Sequence, residues 1–282
     1  MPSLRYRIVN VFAETRLAGN PLCVFEDGSG LDTVTMQAIA SQFNLSETTF
    51  ILPSRSKDAT AQVRIFTPAV EMPFAGHPTL GTAHVVRDLR RTGDVVRLEM
   101  KAGIIPVTAR ADVWTLQAGT PVWHKPTLER TEIAKMLGLA EADVLDGALW
   151  VDTGSDQLIV PIASVSAVER CVPDARLIAR CSSDAGRPGL VYIWARVDER
   201  HARVRFFFTK FGAMVEDPGT GSGCANLGGW LIANHTPLPL EIDLVQGDEV
   251  GRPCRLRLRV DDQKRIYVSG RVIEIADGEL KL

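Results

Sequence analysis

What this sequence lacks narrows it first. Its five cysteines, Cys23, Cys171, Cys181, Cys224 and Cys254, are odd in number, scattered and never in a C-x-x-C pair. They suggest neither a disulfide framework nor a zinc site, and they fit a reducing compartment. An excess of charge of one sign is missing too: 32 Lys and Arg stand against 34 Asp and Glu, a formal charge of −2. The chain therefore offers no general attraction to nucleic acid or anionic lipid. No apolar run approaches the roughly 20 residues a membrane helix needs, and Met1-Pro2-Ser3-Leu4-Arg5-Tyr6-Arg7 runs into a strand pattern without an apolar signal core. The expectation is a cytoplasmic protein with no membrane and no nucleic-acid partner.

Familiar cofactor signatures are absent as well. There is no G-x-x-x-x-G-K-S/T, His77 and His84 lack H-E-x-x-H spacing, and Ser222 is not centred in G-x-S-x-G. Gly219-Thr220-Gly221-Ser222-Gly223-Cys224 is near a dinucleotide fingerprint, but Cys224 stands at the third glycine and no acidic residue ends a following parallel strand. Neither a nucleotide, another cofactor nor a metal is asked for.

With 282 residues, 45% hydrophobic and 23% charged, there is material for one large domain or two ordinary ones. Two stretches organise it. Phe74-Ala75-Gly76-His77-Pro78-Thr79-Leu80-Gly81-Thr82-Ala83 is a sharp turn opening into a small, apolar helix. Glu216-Asp217-Pro218-Gly219-Thr220-Gly221-Ser222-Gly223-Cys224-Ala225 repeats the design, with Ser222 about 143 residues after Thr79. The approaches also match, Arg64-Ile65-Phe66-Thr67 with Arg205-Phe206-Phe207-Phe208-Thr209, at an offset of about 141, which is half the chain. Duplication of one unit predicts an α+β protein of two pseudo-symmetric lobes, each an antiparallel sheet curled around a central helix. Gly119-Thr120-Pro121 marks the crossing, giving lobes 1–118 and 119–282, with the C-terminal strand free to return to the first.

Along the chain, Tyr6 to Phe12 and Pro21 to Phe25 read as a hairpin, and Asp32 or Thr33 caps a helix through Phe43. Ser46-Glu47-Thr48-Thr49 reads as a bend between that helix and a strand. The central helices are expected from about Thr79 to Leu89 and from about Gly223 to Asn234. Smaller helices are expected over Thr131 to Leu137, Ser166 to Cys171 and Asp174 to Arg180. Arg255, Arg257 and Arg259 alternate with Leu256, Leu258 and Val260, the wet side of a half-buried strand. Closing strands are expected at Ile266 to Val268 and Val272 to Ile275.

Each turn delivers backbone N–H groups at an open helix start, where unpaired donors and the dipole favour an anion. If the halves pack about a pseudo-twofold axis, the two starts share one ligand carboxylate, bound near Gly76 and near Gly221 to Ser222. The polar residues differ between the copies: His77 in the first, Asp217, Thr220 and Ser222 in the second. His77 is either a catalytic imidazole or a buried structural one, and Asp217 either a site carboxylate or a turn residue before Pro218.

At these residues the chain resembles the phenazine-biosynthesis isomerase-like (PhzF-like) family, whose fold is shared with diaminopimelate epimerase. The match includes Gly19-Asn20-Pro21, Asn44-Leu45-Ser46-Glu47-Thr48, Arg64-Ile65-Phe66-Thr67-Pro68, both turn-helix stretches and Gln246-Gly247-Asp248-Glu249-Val250-Gly251-Arg252-Pro253, in order. The resemblance implies a cofactor-free isomerase in which Glu47 moves a proton between carbons of a small unsaturated acid. It also implies that His77, Asp217 and Ser222 are further polar site residues, with Gly76 contacting ligand through its backbone. Where the epimerases carry two catalytic cysteines, this chain has Ala75 and Pro218, so a thiol pair is lost. Where many members have Ala-Ala after the serine, it has Gly223-Cys224.

The sequence reading is thus an isomerase with Glu47, His77 and Asp217 catalytic and Gly76, Thr220, Gly221 and Ser222 binding a small carboxylate substrate. A homodimer is expected. The rival readings are a racemase or epimerase of an amino-acid-like substrate and a non-catalytic carboxylate-binding protein.

Overall fold

The computed structural model describes residues 3–182 and 189–282. The chain divides into two units, one running to Gln117 and taking back Ser269–Leu282, the other Ala118–Val268.

In the first unit β1 (Ser3–Val11) and β2 (Asn20–Phe25) form the expected hairpin, and β2 then pairs in parallel with β3 (Glu47–Leu52). β3 is antiparallel to β4 (Ala61–Phe66), which carries the two-residue β5 (Glu71–Met72) and pairs in parallel with β6 (Val95–Met100). β7 (Gly103–Arg110) and β8 (Val113–Gln117) continue the antiparallel run. β17 (Ile266–Lys281) pairs with both β8 and β1, so the ring closes into a barrel. The two expected closing strands are one continuous strand. Between β2 and β3 runs α1 (Thr33–Phe43), capped by Asp32, whose carboxylate accepts from Thr35 N–H at 2.8 Å.

Strands buried on both faces sort their side chains by parity. On β2, β3 and β4 one parity gives Cys23, Phe25, Phe50 and Phe66, packed under Met36, Ile39 and Ala40 of α1. The other gives Leu22, Thr49 and Ile65, facing the interior. There lies α2 (Gly76–Arg90), with every residue from His77 to Ala83 buried. Its small residues are what let it in: a Cβ at Gly81 would stand 2.6 Å from Leu22 Cδ2 and 3.0 Å from side-chain atoms of Val9 and Val11.

The second unit repeats the plan. β9 (Val122–His124), β10 (Leu149–Asp152) and β11 (Asp156–Pro161) pair antiparallel, and β11 pairs in parallel with β12 (Val191–Arg196). β12 is antiparallel to β13 (His201–Lys210), which carries β14 (Ala213–Asp217) and pairs in parallel with β15 (Leu240–Gln246), itself antiparallel to β16 (Cys254–Val260). The sheet curls until Ala118 N–H reaches Ile266 O at 2.9 Å. Outside it pack α3 (Arg130–Leu137), α4 (Val165–Glu169) and α5 (Ala175–Arg180), over Leu158, Val160, Val191, Ile193 and Phe207. Inside lies α6 (Gly221–Ala233), buried on nearly every side.

The order of parallel and antiparallel pairings is the same in both units, so the duplication read in the sequence is present in the ladders. The match reaches single contacts. Arg64 holds Glu71 through Nε and Nη2, both at 2.8 Å, and Arg205 holds Glu216 through Nε at 2.9 Å and Nη2 at 2.7 Å. Each guanidinium also lies over a phenylalanine two residues on, Phe66 at 5.0 Å and Phe207 at 4.8 Å.

Three details differ from the sequence reading. Both central helices begin earlier, at Gly76 and Gly221: Pro78 is accommodated in the first turn of α2, where a missing N–H breaks no helical bond, and α6 opens on Gly221 after its N-cap Thr220. Glu47 does not sit in a solvated bend but opens β3. Asp217 is the last residue of β14, not a turn residue, with Phe206 as its cross-strand neighbour. Among the described residues no helix is long and apolar enough to cross a membrane.

Candidate active site

In the first unit, Glu47 enters the barrel because β2 and β3 pair with Leu22 opposite it, and Leu22 points at α2. Two residues on, Thr49 shares that face and its hydroxyl meets Thr82 of α2 at 2.8 Å, which fixes the helix against this edge of the strand. The N-cap of α2 is Ala75, which has no side chain to answer the first amides. Its carbonyl is taken by the Thr79 hydroxyl at 2.7 Å. His77 is therefore carried on the first turn of a buried helix, beside the start of β3, and its Nδ1 lies 3.3 Å from Glu47 Oε2.

The state of that histidine follows from its surroundings. Full burial pushes its pKa down to about 3, and a backbone hydrogen bond to Pro21 opposes this only in part. At neutral pH it is a neutral imidazole. Glu47, 17% exposed, thus meets in His77 a neutral polar partner and not a compensating cation.

In the second unit the turn into α6 is tied by one buried amide. Gln246 Nε2 donates to Asp217 O at 2.8 Å and to Thr220 Oγ1 at 3.0 Å, while its Oε1 accepts from Thr220 N–H at 3.1 Å. The Thr220 hydroxyl, its lone pair so used, donates to Asp217 Oδ2 at 2.5 Å. Thr220 is the N-cap of α6 and gives no side-chain cap, leaving the amides of the first turn, Gly221 among them, unanswered by it. Ser222 is the second residue of the helix, and its Oγ accepts from Gln157 Nε2 at 2.8 Å.

Sequence reasoning did not assign roles to Gln246 or Gln157. A signal existed for the first: the inward series of β15 runs Ile242, Leu244, Gln246, all buried, so a polar side chain stands where the alternation demands an apolar one. β11 is buried at every position, so its pattern carried no such mark for Gln157.

The Gly223-Cys224 departure also has a physical account. A Cβ at Gly223 would stand 2.4 Å from two ring atoms of Tyr192, a fully buried side chain on β12, so the tyrosine fills the space an alanine methyl would use. Cys224 is wholly buried, and burial pushes its thiol well above the ordinary range. All five cysteines are free and buried, and the two at α4 and α5 are pushed up to about 12 at Cys171 and about 11 at Cys181. None of them is a thiolate at neutral pH, which fits Ala75 and Pro218 standing where a thiol pair would act. Among the described residues no group of three His, Cys, Asp or Glu is placed to hold a metal.

The family described as phenazine biosynthesis-like protein, PhzC-PhzF, matches residues 9–278. The chain belongs to that family. A relative from Pasteurella multocida, named an uncharacterized isomerase, is 40% identical over 98% of this chain and 93% of its own length. The trans-2,3-dihydro-3-hydroxyanthranilate isomerase of Pseudomonas aeruginosa is 32% identical over 99% of both chains. The crystal structure of a Bacillus anthracis PhzF-family phenazine biosynthesis protein shares the fold, with a TM-score of 0.87 at 23% identity and full coverage of both chains. This PhzF-family chain is an isomerase with a diaminopimelate epimerase-like fold.

Proposed function

We propose that this isomerase moves a proton between carbons of a small unsaturated carboxylic acid without a cofactor, Glu47 acting first as base and then as acid. The observation that carries the reading is the Glu47 carboxyl held 3.3 Å from a buried, neutral His77. An isomerisation of this kind conserves composition: the proton lost at one carbon returns at another, so one carboxyl that accepts and then donates suffices. What the reaction needs besides a base is stabilisation of the charge that spreads through the conjugated system as the C–H bond breaks. Gly76 of the first unit and Thr220, Gly221 and Ser222 of the second are each proposed as substrate-binding residues. His77 in the first unit and Asp217 in the second are each proposed as catalytic residues. Relatives named for a dihydro-hydroxyanthranilate support a ring acid carrying amino and hydroxyl groups. A homodimer in the cytoplasm belongs to the same reading, and sedimentation and cell fractionation check it.

The test is Glu47→Gln, assayed in D2O on trans-2,3-dihydro-3-hydroxyanthranilate and a panel of small unsaturated carboxylates. The parent is expected to incorporate solvent deuterium at the carbon that gains the proton, to the extent that the protonated Glu47 carboxyl exchanges with solvent before returning it. The variant is expected to bind comparably and to lose turnover by at least about 100-fold. Undiminished exchange in Glu47→Gln moves the base elsewhere, and deuterium at an inverted stereocentre replaces this reading by epimerisation.

A further inference from the structure

We propose that Gln157 is a positioning residue that makes the Ser222 hydroxyl a hydrogen-bond donor to a bound oxyanion. The inference rests on the reading of Ser222 as a ligand-binding residue and adds the group that sets its polarity.

Gln157 lies on β11 with Val151 opposite it, and it shares its face with Ile159, the residue paired to Tyr192 across the parallel ladder. That face looks at α6. The side chain is 1% exposed and therefore cannot itself be a water-facing contact. Its Nε2 donates to Ser222 Oγ at 2.8 Å, whereas its Oε1 is buried with no hydrogen-bond partner among the described residues. A buried amide with an orphaned oxygen is an unfavourable way to fill space that a methionine of similar length would fill without a polar atom. Shape does not account for it. The amide supplies what no apolar chain could, an N–H fixed against the serine oxygen.

That donor determines what Ser222 can do. A hydroxyl has one proton and two lone pairs, and an oxygen already accepting from Gln157 cannot give its own proton back along the same line. The proton turns away from β11. Ser222 stands in the first turn of α6, where the amides are not capped by Thr220 and the Asp217 carboxylate already accepts from the Thr220 hydroxyl, so the serine adds a donor to those amides. The ligand class this suits is an acceptor-only oxyanion, a carboxylate or its inorganic analogue. A glutamate at position 157 would invert the arrangement, because an ionised carboxylate accepts from Ser222 and removes its proton from the ligand.

Inorganic sulfate is the probe, followed by the backbone amide shifts of Gly221, Ser222 and Gly223 in the full-length protein, so that turnover plays no part in the readout. The parent is expected to show saturable shifts at these amides. Gln157→Met is expected to weaken sulfate by about fivefold, the usual scale for one hydrogen bond. In a Ser222→Ala background the same substitution is expected to change affinity by less than about twofold, because the group it acts through is gone. Gln157→Glu supplies a second measurement with nearly the same shape. A protonated carboxyl still donates to Ser222 and an ionised one does not, so sulfate affinity is expected to fall as pH rises from about 6 to 8.5 while the parent stays flat. Equal losses for Gln157→Met in both backgrounds, a pH-independent Gln157→Glu, or a parent without sulfate shifts at these amides would each overturn the proposal. A positive coupling together with failed isomerase assays would leave Gln157 in this role and remove only the proposed reaction.

Discussion

Nδ1 of His77 and Oε2 of Glu47 lie 3.3 Å apart, one on the first turn of a buried helix and the other at the first residue of the strand beside it. Burial strips the imidazole of its charge, so the contact joins a neutral ring to a carboxyl group. A cation in that place would form an ion pair with Glu47; the neutral ring makes a polar contact instead.

The same burial makes stability depend on pH. His77 titrates near 6.5 in the unfolded chain and near 3 when folded. Between these values the unfolded chain binds a proton that the folded chain does not. The stabilisation is complete above about pH 6.5 and is lost as pH falls toward 3, with a slope of about 1.4 kcal/mol per pH unit for one proton. His84, also lowered by burial and then by Arg87, adds in the same sense. Chemical denaturation of the parent and His77→Gln from pH 4 to 8 reads the effect. The difference in unfolding free energy should climb up to about pH 6.5 and then level. Parallel curves would show that His77 is not buried neutral.

Gly223→Ala is expected to destabilise the fold by about 1–3 kcal/mol, the range for overpacking a well-filled site. The added methyl would start 2.4 Å from the Tyr192 ring, which is fully buried and has nowhere to swing. In a Tyr192→Leu background the same substitution should lose most of its effect, since the ring it meets is absent. Additive losses in thermal or urea unfolding would mean that another contact sets the need for glycine here.

The repeat was legible because duplication copies the residues that fold: two Gly/Pro turns, two small-residue helices and the strand approaches Arg64 to Phe66 and Arg205 to Phe207. The short strands β5, β9, β10 and β14 were not, because two to five residues give too little periodicity, and their partners are set by long-range pairing. Glu47 looked like part of a bend because nothing local distinguishes a polar first strand residue from a loop. Its inward direction is decided by the register with Leu22 on β2, a tertiary fact. His77, Thr220 and Ser222 could be singled out as candidates because they sit on the glycine turns. Gln157 is hidden in a strand buried from end to end, where parity leaves no trace.

The duplicated arginine clamps should differ in strength. Arg205 is 8% exposed and donates through Nη1 to the carbonyls of Val168 at 2.9 Å, Glu169 at 3.1 Å and Cys171 at 2.8 Å, besides holding Glu216. Arg64 is 20% exposed, and its Glu71 has a second cation in Lys101 at 2.7 Å. Arg205→Met leaves a buried carboxylate and three carbonyls without their donor, and a loss of about 3–5 kcal/mol is expected. For Arg64→Met, where Lys101 remains on Glu71 and no set of carbonyls loses its donor, about 1 kcal/mol is expected. Equal losses in urea unfolding would refute the idea that the additional partners, Lys101 in one copy and the three carbonyls in the other, separate the two clamps.

Gln246→Met tests whether the turn into α6 is held by hydrogen bonds or by packing. The substitution keeps length and bulk, so the cavity term is small, but it removes every polar contact of a fully buried amide. Thr220 N–H loses its acceptor, and Asp217 O and Thr220 Oγ1 lose their donor. Unpaired buried groups of this kind cost about 1–3 kcal/mol each, less whatever relaxation lets water recover. A stability loss of about 2 kcal/mol is expected. The diagnostic signature is local: the Thr220 hydroxyl loses the contact that turns its proton toward Asp217, so amide exchange should rise first at Thr220 and the start of α6 and only later in the rest of the barrel. Uniform acceleration throughout the second unit would mean that Gln246 acts as core filling, and unchanged exchange at Thr220 would mean that the turn is held by its backbone alone.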